Sequence, residues 1–316
     1  MRAVRRNLTR AGGLAAGFAV GMLFYAATRH GSGDQGTAPG PVPSAPPAPS
    51  SVPAALPPRE TPPGDWDASL GAPPYLVDVA EAAGVMFRHC NGESGKYYYP
   101  EIMGGGVALF DYDGDGFLDI YFVNGNYLDK PPSPELKNRL YRNNGDWTFT
   151  DVTDRAGVGD TGYGRGCCAG DYDHDGDSDL CLSNFGRNVL YRNNGDGTFT
   201  DVAAAAGVED LLWGQSSAWL DYDKDGRLDS FVQNYLTYSL DMRTDAFIYI
   251  GDEKLLDYAA PSNFKGAASH LYRNNGDGAF RDVTKEAGVL RPDGKGMNTV
   301  CYDMDDDGWV DIVPAW

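Results

Sequence analysis

The sequence is poor in the residues on which nucleic-acid binding and most catalysis depend. Lys and Arg number 26 against 45 Asp and Glu, which gives a net charge of -19 at pH 7. A chain of this charge repels nucleic acid and anionic lipid surfaces, so both are excluded as electrostatic partners and cations are favoured. Only four histidines occur among 316 residues. They form no recognisable arrangement of nucleophile, base and orienting group, so we predict that the protein is not an enzyme.

Cysteine is also scarce, and its spacing excludes a zinc site. The five cysteines are Cys90, Cys167, Cys168, Cys181 and Cys301. An odd number leaves at least one thiol unpaired within a monomer. Cys167 and Cys168 precede an acidic loop and Cys181 follows it, on strands that should be neighbours. One cross-strand disulfide and a set of buried free thiols are therefore both open.

The first 74 residues have the composition of an export signal and a spacer rather than of a folded domain. Four arginines precede the uncharged stretch 11–27, so residues 1–30 are predicted to be a signal peptide or a signal anchor. The stretch is shorter than the roughly 20 apolar residues of a membrane span, so cleavage and membrane anchoring are both open. Residues 31–74 are rich in Pro, Ala and Ser and are predicted to form a disordered linker. We expect an exported protein that is secreted, periplasmic or anchored at the cell surface.

Two phrases alternate through residues 75–316 and define an internal repeat. One phrase reads LYRNNGDGTFTDV with small variations, and the other reads D-x-D-x-D-G-x-x-D. The first begins near Asn138, Asn188 and Ser269, and the second begins at Asp111, Asp171, Asp221 and Asp303. The last interval is lengthened by an insertion from about Leu236 to Ala268. The repeat length of 50 or more residues indicates one supersecondary unit per repeat.

Each repeat is predicted to contain four short strands. LYRN and TFTDV are β-rich runs on either side of an Asn-Asn-Gly-Asp turn, a pattern that is typical of a hairpin. A third strand enters the acidic phrase, as at 107–110, and a fourth leaves it, as at 118–123. Four strands at this spacing favour an all-β propeller of four-stranded blades over a β-solenoid, which repeats at shorter spacing.

The number of strands predicts an incomplete ring. Residues 75–85 match the TFTDV half of the repeat, so the folded region should begin at the second strand of a blade. The sequence reaches Trp316 where a further LYRN strand would begin, which leaves 15 strands for four blades. We expect about four blades of a larger ring, and the alternative is a four-bladed ring with an open seam. Missing blades or a partner strand would then complete the ring.

The acidic phrases are predicted to be four calcium sites, which we number loops 1 to 4. Asp occupies positions 1, 3, 5 and 9 of each loop and Gly occupies position 6. Carboxylates this close repel one another unless a cation lies among them, and calcium prefers oxygen ligands in a flexible loop. With the position 7 carbonyl, the predicted ligands are Asp111, Asp113, Asp115, Phe117 and Asp119 in loop 1, Asp171, Asp173, Asp175, Asp177 and Asp179 in loop 2, Asp221, Asp223, Asp225, Arg227 and Asp229 in loop 3, and Asp303, Asp305, Asp307, Trp309 and Asp311 in loop 4.

Other interpretations of these loops fit less well. An EF-hand needs Glu at position 12 and flanking helices, whereas position 12 here is Phe122, Leu182, Val232 or Pro314 between β-rich runs. Magnesium prefers a stricter octahedral geometry. Solvated acidic turns would not need the same pattern four times. About four bound calcium ions, each with a dissociation constant of roughly 10 µM in millimolar calcium, would stabilise the fold by about 2.7 kcal/mol per site.

The paired phrases resemble the FG-GAP/VCBS repeats of integrin-α-like propellers. The segment from Tyr75 through GESGKYYYPEIMGGGVALFDYDGDGFLDIYFVNG is similar to the opening of bacterial cartilage-acidic-protein-like proteins. The resemblance covers residues 75–316 and implies a calcium-binding propeller, usually seven-bladed and secreted or surface-held. It also implies an ASPIC/UnbV-type domain after the propeller. Because the remaining blades and that domain are not in this sequence, we expect a carboxyl-terminally truncated member.

Three functions remain open at this point. The first is a non-catalytic, calcium-stabilised protein for extracellular protein or glycan recognition and adhesion, with specificity from the insertion that contains Phe247, Tyr249 and Tyr258. The second is a calcium-dependent enzyme on a propeller scaffold, of polysaccharide lyase or phosphoesterase type. The third is a structural surface protein carried on a spacer. We favour the first, because the sequence contains a metal-site pattern and an aromatic insertion but no catalytic arrangement.

Overall fold

The computed structural model of the chain describes residues 78–242, 245–250 and 252–315. These residues belong to one compact unit, Pro49–Trp316. The predicted signal or anchor at 1–30 and the predicted linker at 31–74 lie outside them. Among the helices within this range, none is both long enough and apolar enough to span a membrane.

Three repeats each form a four-stranded antiparallel sheet, and within each sheet the strands lie side by side in chain order. Sheet 1 contains β1 (Val107–Phe110), β2 (Asp119–Phe122), β3 (Arg139–Asn143) and β4 (Phe149–Asp151). Sheet 2 contains β5 (Gly164–Gly170), β6 (Asp179–Asn184), β7 (Gly186–Asn193) and β8 (Phe199–Asp201). Sheet 3 contains β9 (Gly214–Leu220), β10 (Asp229–Asn234), β15 (His270–Asn274) and β16 (Phe280–Asp282). The all-β class and the four-stranded unit are confirmed.

Within the described residues, the remaining strands form three two-stranded sheets. Within the insertion, β11 (Leu236–Thr237) pairs with β14 (Lys265–Gly266), and β12 (Ala246–Ile250) pairs with β13 (Glu253–Asp257). In the last repeat, β17 (Asn298–Tyr302) pairs with β18 (Asp311–Ala315). The strand predicted at 75–79 differs, since Asp78 and Val79 are not in a strand and residues 75–77 lie outside the described range. Ring closure and the number of blades stay predictions.

The predicted hairpins form around the Asn-Asn-Gly-Asp turns. In sheet 2, the Asn194 amide donates to the Thr198 carbonyl at 3.0 Å, and Gly197 turns the chain with φ of 82°. Sheet 1 has Trp147 at the equivalent place, with φ of 67°. A side chain is strained in this left-handed region, so the first hairpin carries a cost that the other two avoid.

A short helical turn follows each hairpin of the first two sheets and was not predicted from the sequence. These turns are α1 (Thr153–Ala156) and α2 (Ala203–Ala206). Gly157 ends α1 with φ of 75°, and Gly207 ends α2 with φ of 74°. Glycine is favoured at this position because it adopts the left-handed conformation without strain. The Ala-Gly-Val sequence at the end of each repeat could have indicated a helical turn that ends at glycine.

Successive sheets pack face to face, with their first strands in contact. Strand β5 contacts both β1 and β9, and β9 contacts β17. A Cβ atom on Gly106 would lie 2.9 Å from the Gly166 Cα, and one on Gly105 would lie 2.1 Å from the Val123 carbonyl oxygen. The neighbouring backbone therefore approaches these two glycines too closely to admit a side chain. One core is shared between sheets, since Tyr121 and Leu140 of sheet 1 join Leu180 of sheet 2.

Candidate metal centres

Each acidic loop connects the first strand of its sheet to the second and is held by its own carboxylates. In loop 1, Asp111 accepts hydrogen bonds from the amides of Asp115 at 3.1 Å and Gly116 at 2.8 Å. Asp115 in turn accepts from the Phe117 amide at 3.0 Å. The same three bonds recur in loops 2, 3 and 4. Gly116 has φ of 89°, which confirms that position 6 needs glycine for the sharp reversal.

The aspartate at position 9 joins the loop to the hairpin of the same sheet. Asp119 is fully buried, and its two oxygens accept from the amides of Tyr112 at 2.9 Å and Asn143 at 2.7 Å. Asp179 and Asp229 make the equivalent pairs of bonds. Burial raises the pKa of Asp119 and Asp229 to about 6 and that of Asp179 to about 7. Position 9 is therefore a structural clasp as well as a predicted ligand.

Three carboxylates converge in every loop, with oxygens within 4.8 Å of one another. In loops 1 and 3 the three come from positions 1, 3 and 5, and in loops 2 and 4 they come from positions 1, 3 and 9. The converging residues are Asp111, Asp113 and Asp115; Asp171, Asp173 and Asp179; Asp221, Asp223 and Asp225; and Asp303, Asp305 and Asp311. Positions 1 and 3 are thus brought together throughout. The fourth predicted carboxylate, at position 9 or 5, lies outside each triad.

The position 7 side chains contact glycines of the hairpin turns. A Cβ atom on Gly145 would lie 3.0 Å from the Phe117 ring, and Asp177 and Arg227 lie against the equivalent glycines of their own hairpins. The Trp309 ring is instead covered by a lysine ammonium group of loop 3, 4.0 Å from the ring centroid. Coordination by the carbonyl of this position stays a prediction.

The residues fit a hard, oxygen-binding cation such as calcium. The donor set consists of carboxylates, which is the chemistry that calcium prefers. One oxygen of Asp113 and one of Asp223 are buried without a hydrogen-bond partner. Buried acceptors without a partner are rare and costly, and a bound cation would satisfy both of them.

An arginine of the LYRN strand reaches two of the loops, which sequence reasoning missed. Arg142 donates from Nε to Asp113 and from Nη2 to Asp115, both at 2.5 Å. Arg273 pairs with the same two positions of loop 3 at 2.6 and 2.7 Å. Arg192, at the equivalent place in sheet 2, is exposed. The recurrence of Arg in LYRN was a signal for this contact.

Each loop of the first two sheets is also connected to the following sheet. Tyr112, at position 2 of loop 1, is buried, and its ring stacks on Phe199 of sheet 2 with centroids 6.3 Å apart. The Tyr112 carbonyl accepts from the Asn193 side chain at 2.9 Å. Asn274 makes the same bond to Tyr172 of loop 2 at 2.8 Å. Tyrosine at position 2 of three loops was the sequence signal for this connection.

The insertion presents two of its three predicted aromatic residues to solvent. Phe247 and Tyr249 lie on β12 and are 44% and 69% exposed. Tyr258 is half-buried, and its hydroxyl donates to the buried Glu101 at 3.2 Å. It also contacts Tyr97 edge to face, with ring centroids 5.1 Å apart. The insertion is thereby attached to the segment before β1 and leaves the β12–β13 hairpin exposed.

The histidines and cysteines of the described residues have structural surroundings. His270 Nδ1 lies 2.8 Å from Asp282, in the place where Arg139 pairs with Asp151 in sheet 1. All five cysteines are free thiols. Cys168 lies directly opposite Cys181 across β5 and β6.

Comparisons with known proteins support the repeat family. The FG-GAP-like repeat profile matches residues 111–182 and 171–232. No curated protein matches the chain. Among solved structures, an Agrocybe aegerita lectin, described for specific recognition of non-reducing terminal N-acetylglucosamine, aligns with a TM-score of 0.33 and 21% identity. The alignment covers 65% of this chain and 45% of the lectin, so this chain spans less than half of that structure, and the likeness carries no functional argument. Residues 111–232 therefore carry FG-GAP-like repeats.

Proposed function

We propose that this protein is a non-catalytic, calcium-binding recognition protein that acts outside the cell. Calcium in loops 1 to 4 would stabilise the sheets as blades of a propeller, and the exposed insertion would contact a protein or glycan. The observation that carries the proposal is the convergence of three carboxylates in each of four successive loops. A solvated acidic turn has no physical reason to bring like charges together repeatedly.

Bound calcium would supply positive charge and oxygen coordination that the folded loop can use and the unfolded chain cannot. The chain's own residues would transmit that stabilisation. The position 9 clasp ties each of loops 1 to 3 to its hairpin, and Asn193 and Asn274 tie loops 1 and 2 to the next sheet. Neutralising the loops would therefore strengthen contacts between sheets as well as within them.

The surface chemistry supports recognition rather than catalysis. The β12–β13 hairpin exposes aromatic and aliphatic side chains, and exposed apolar patches are typical of interaction sites. The shallow pocket beside His270 is lined by Asp282, Thr284, Lys285 and Glu286, and its histidine is held in a cross-strand pair. Such a pair has a structural counterpart in sheet 1, so no reaction needs to be invoked for it.

The location of the protein is also part of the proposal. Basic residues followed by the uncharged stretch 11–27 support export, with release or membrane anchoring as the two outcomes. The opening segment supports placement among bacterial cartilage-acidic-protein-like proteins. The predicted signal lies outside the four calcium loops, whereas the opening segment includes loop 1.

Thermal unfolding of the full chain in millimolar calcium and in EGTA tests the calcium proposal. We expect calcium to raise the melting temperature strongly, and calorimetric titration to give about four bound ions, since each site should add about 2.7 kcal/mol at 100 times its dissociation constant. Magnesium at the same concentration is the control and should give a smaller shift. An unchanged melt together with no bound calcium would refute the proposal.

A further inference from the structure

The four loops are present in two arrangements within one molecule. Loops 1 and 3, which we call the clamped loops, bring together positions 1, 3 and 5. Loops 2 and 4, which we call the open loops, bring together positions 1, 3 and 9. The residues at positions 1, 3, 5, 6 and 9 are identical in all four loops, so the difference comes from the other loop positions and from neighbouring residues.

The clamped loops share one neighbour, an arginine from the third strand of their sheet. Arg142 bonds one oxygen of Asp113 and one of Asp115, and Arg273 makes the same fork in loop 3. A bidentate guanidinium draws two carboxylates toward itself and holds them in a fixed geometry. This contact draws position 5 into the cluster in both loops, and in loop 3 Arg227 pairs with Asp225 as well.

Sheet 2 has an arginine at the equivalent position of its third strand, but this arginine does not form a fork with loop 2. Arg192 occupies the equivalent position on β7 and is exposed, and within the described residues no ion pair joins it to loop 2. Loop 2 also carries a fifth carboxylate, Asp177, at position 7. Its negative charge is therefore larger and less compensated than that of either clamped loop.

We propose that Arg142 and Arg273 are internal competitors of calcium, so that loop 2 binds calcium first and the clamped loops bind it more weakly. Calcium entering a clamped loop meets a guanidinium already bonded to two of the predicted ligands. Its binding must break that fork or tolerate a like charge beside it, and either costs affinity. This inference rests on the proposed calcium function and adds an order of filling to it.

The arginines would also support the loops when calcium is absent. Two of the carboxylates in each clamped loop are neutralised in part by the guanidinium, which reduces their mutual repulsion. The same side chain therefore stabilises the calcium-free loop and opposes calcium binding. Loop 2 lacks this support, so it should depend on calcium more than loops 1 and 3.

Calorimetric calcium titration of the full chain and of Arg142→Gln, Arg273→Gln and Arg192→Gln tests the inference. The unsubstituted chain should show tight and weak classes of site. Removing Arg142 or Arg273 should strengthen binding at one weak site by about tenfold, the effect of losing one charged, partly exposed hydrogen-bonded pair. Arg192→Gln is the matched control and should change calcium affinity less, because Arg192 acts on Asp173 through its charge without forming an ion pair.

Thermal unfolding in EGTA gives a second readout that does not depend on calcium. Arg142→Gln and Arg273→Gln should each lower the melting temperature, and added calcium should raise it further than in the unsubstituted chain. Arg142→Lys keeps the charge but loses the bidentate fork. Its melting temperature in EGTA should lie between those of Arg142→Gln and the unsubstituted chain. This variant is also measured if Arg142→Gln does not fold.

The outcomes separate this inference from the function on which it rests. If the unsubstituted chain binds calcium but Arg142→Gln and Arg273→Gln bind it equally or more weakly, the arginines orient the ligands and the competitor role is wrong. If the unsubstituted chain binds no calcium, the proposed function fails and the order of filling fails with it. Stronger binding in both variants, with a smaller change in Arg192→Gln, supports the inference.

Discussion

The repeats and the insertion of this protein differ in how far their residues are bonded and packed internally. In the repeats, the loop carboxylates at positions 1, 5 and 9 bond backbone amides, and tyrosines of loops 1 and 2 extend the packing into the next sheet. In the insertion, β12 and β13 pair with each other and expose most of their side chains. Redundant internal bonding indicates a scaffold, whereas an exposed hairpin indicates a surface that can change without loss of the fold.

The largest expected effect comes from breaking the clasp within a repeat. Asp179→Asn replaces an acceptor of two backbone amide bonds by an amide that can accept only one, and it buries an unsatisfied donor. We expect a loss of about 3 kcal/mol in unfolding free energy in EGTA. Asp175→Asn is the control, because its exposed oxygen can still accept from the Asp177 amide. Equal losses in the two variants, measured by denaturant unfolding, would contradict the distinction between clasp and loop ligand.

The same clasp predicts a pH dependence in the calcium-free protein. Burial raises the Asp179 pKa from 3.8 to about 7, so the folded state binds a proton more readily than the unfolded state between these values. The contribution of Asp179 to stability should therefore increase as the pH falls from above 7 toward 4, and its charged form is a penalty above 7. The difference in unfolding free energy between the unsubstituted chain and Asp179→Asn isolates this term. A difference that shrinks with falling pH would have the wrong sign.

A smaller effect should come from making the first repeat resemble the others. Trp147→Gly removes a bulky residue from a left-handed backbone position where the other hairpins have Gly197 and Gly278. We expect stability to increase by about 1 kcal/mol. Gly197→Trp is the reciprocal control and should decrease stability by a similar amount. Melting temperatures in EGTA would show both changes, and a destabilised Trp147→Gly would mean that the exposed ring contributes more than the strain costs.

The smallest effect on stability should come from the insertion. The double variant Phe247→Ser and Tyr249→Ser should change the unfolding free energy by less than about 0.5 kcal/mol, since both side chains are exposed. Proteins or glycans that bind the unsubstituted chain are first identified on an affinity surface or a glycan array. The double variant should bind these ligands more weakly. Val300→Ser, an exposed apolar position on β17, is the matched control. Unchanged binding by the double variant would move the recognition surface away from this hairpin.

The repeat pattern made much of the fold predictable. Strands were predicted at 107–110 and 118–123, and the structure has them at Val107–Phe110 and Asp119–Phe122. The turn glycine at position 6 was also predicted correctly. These features depend on neighbouring residues and recur in each repeat, so a local pattern is sufficient to find them.

Contacts between distant residues could not be derived in this way. The Arg142 fork joins residues 27 and 29 positions apart, and Tyr258 reaches Glu101 across 157 positions. Which three carboxylates converge in a loop depends on such neighbours. Sequence reasoning therefore found the ligand candidates but could not distinguish clamped from open loops.

The bond from Asn193 to the Tyr112 carbonyl has a consequence for synthesis of the chain. The residue that completes loop 1 is translated 81 positions after the one it bonds, and Asn274 follows Tyr172 by 102. An emerging repeat must therefore wait for the hairpin of its successor before its buried carbonyl is satisfied. Folding should therefore proceed in chain order, with each sheet completing the sheet that precedes it.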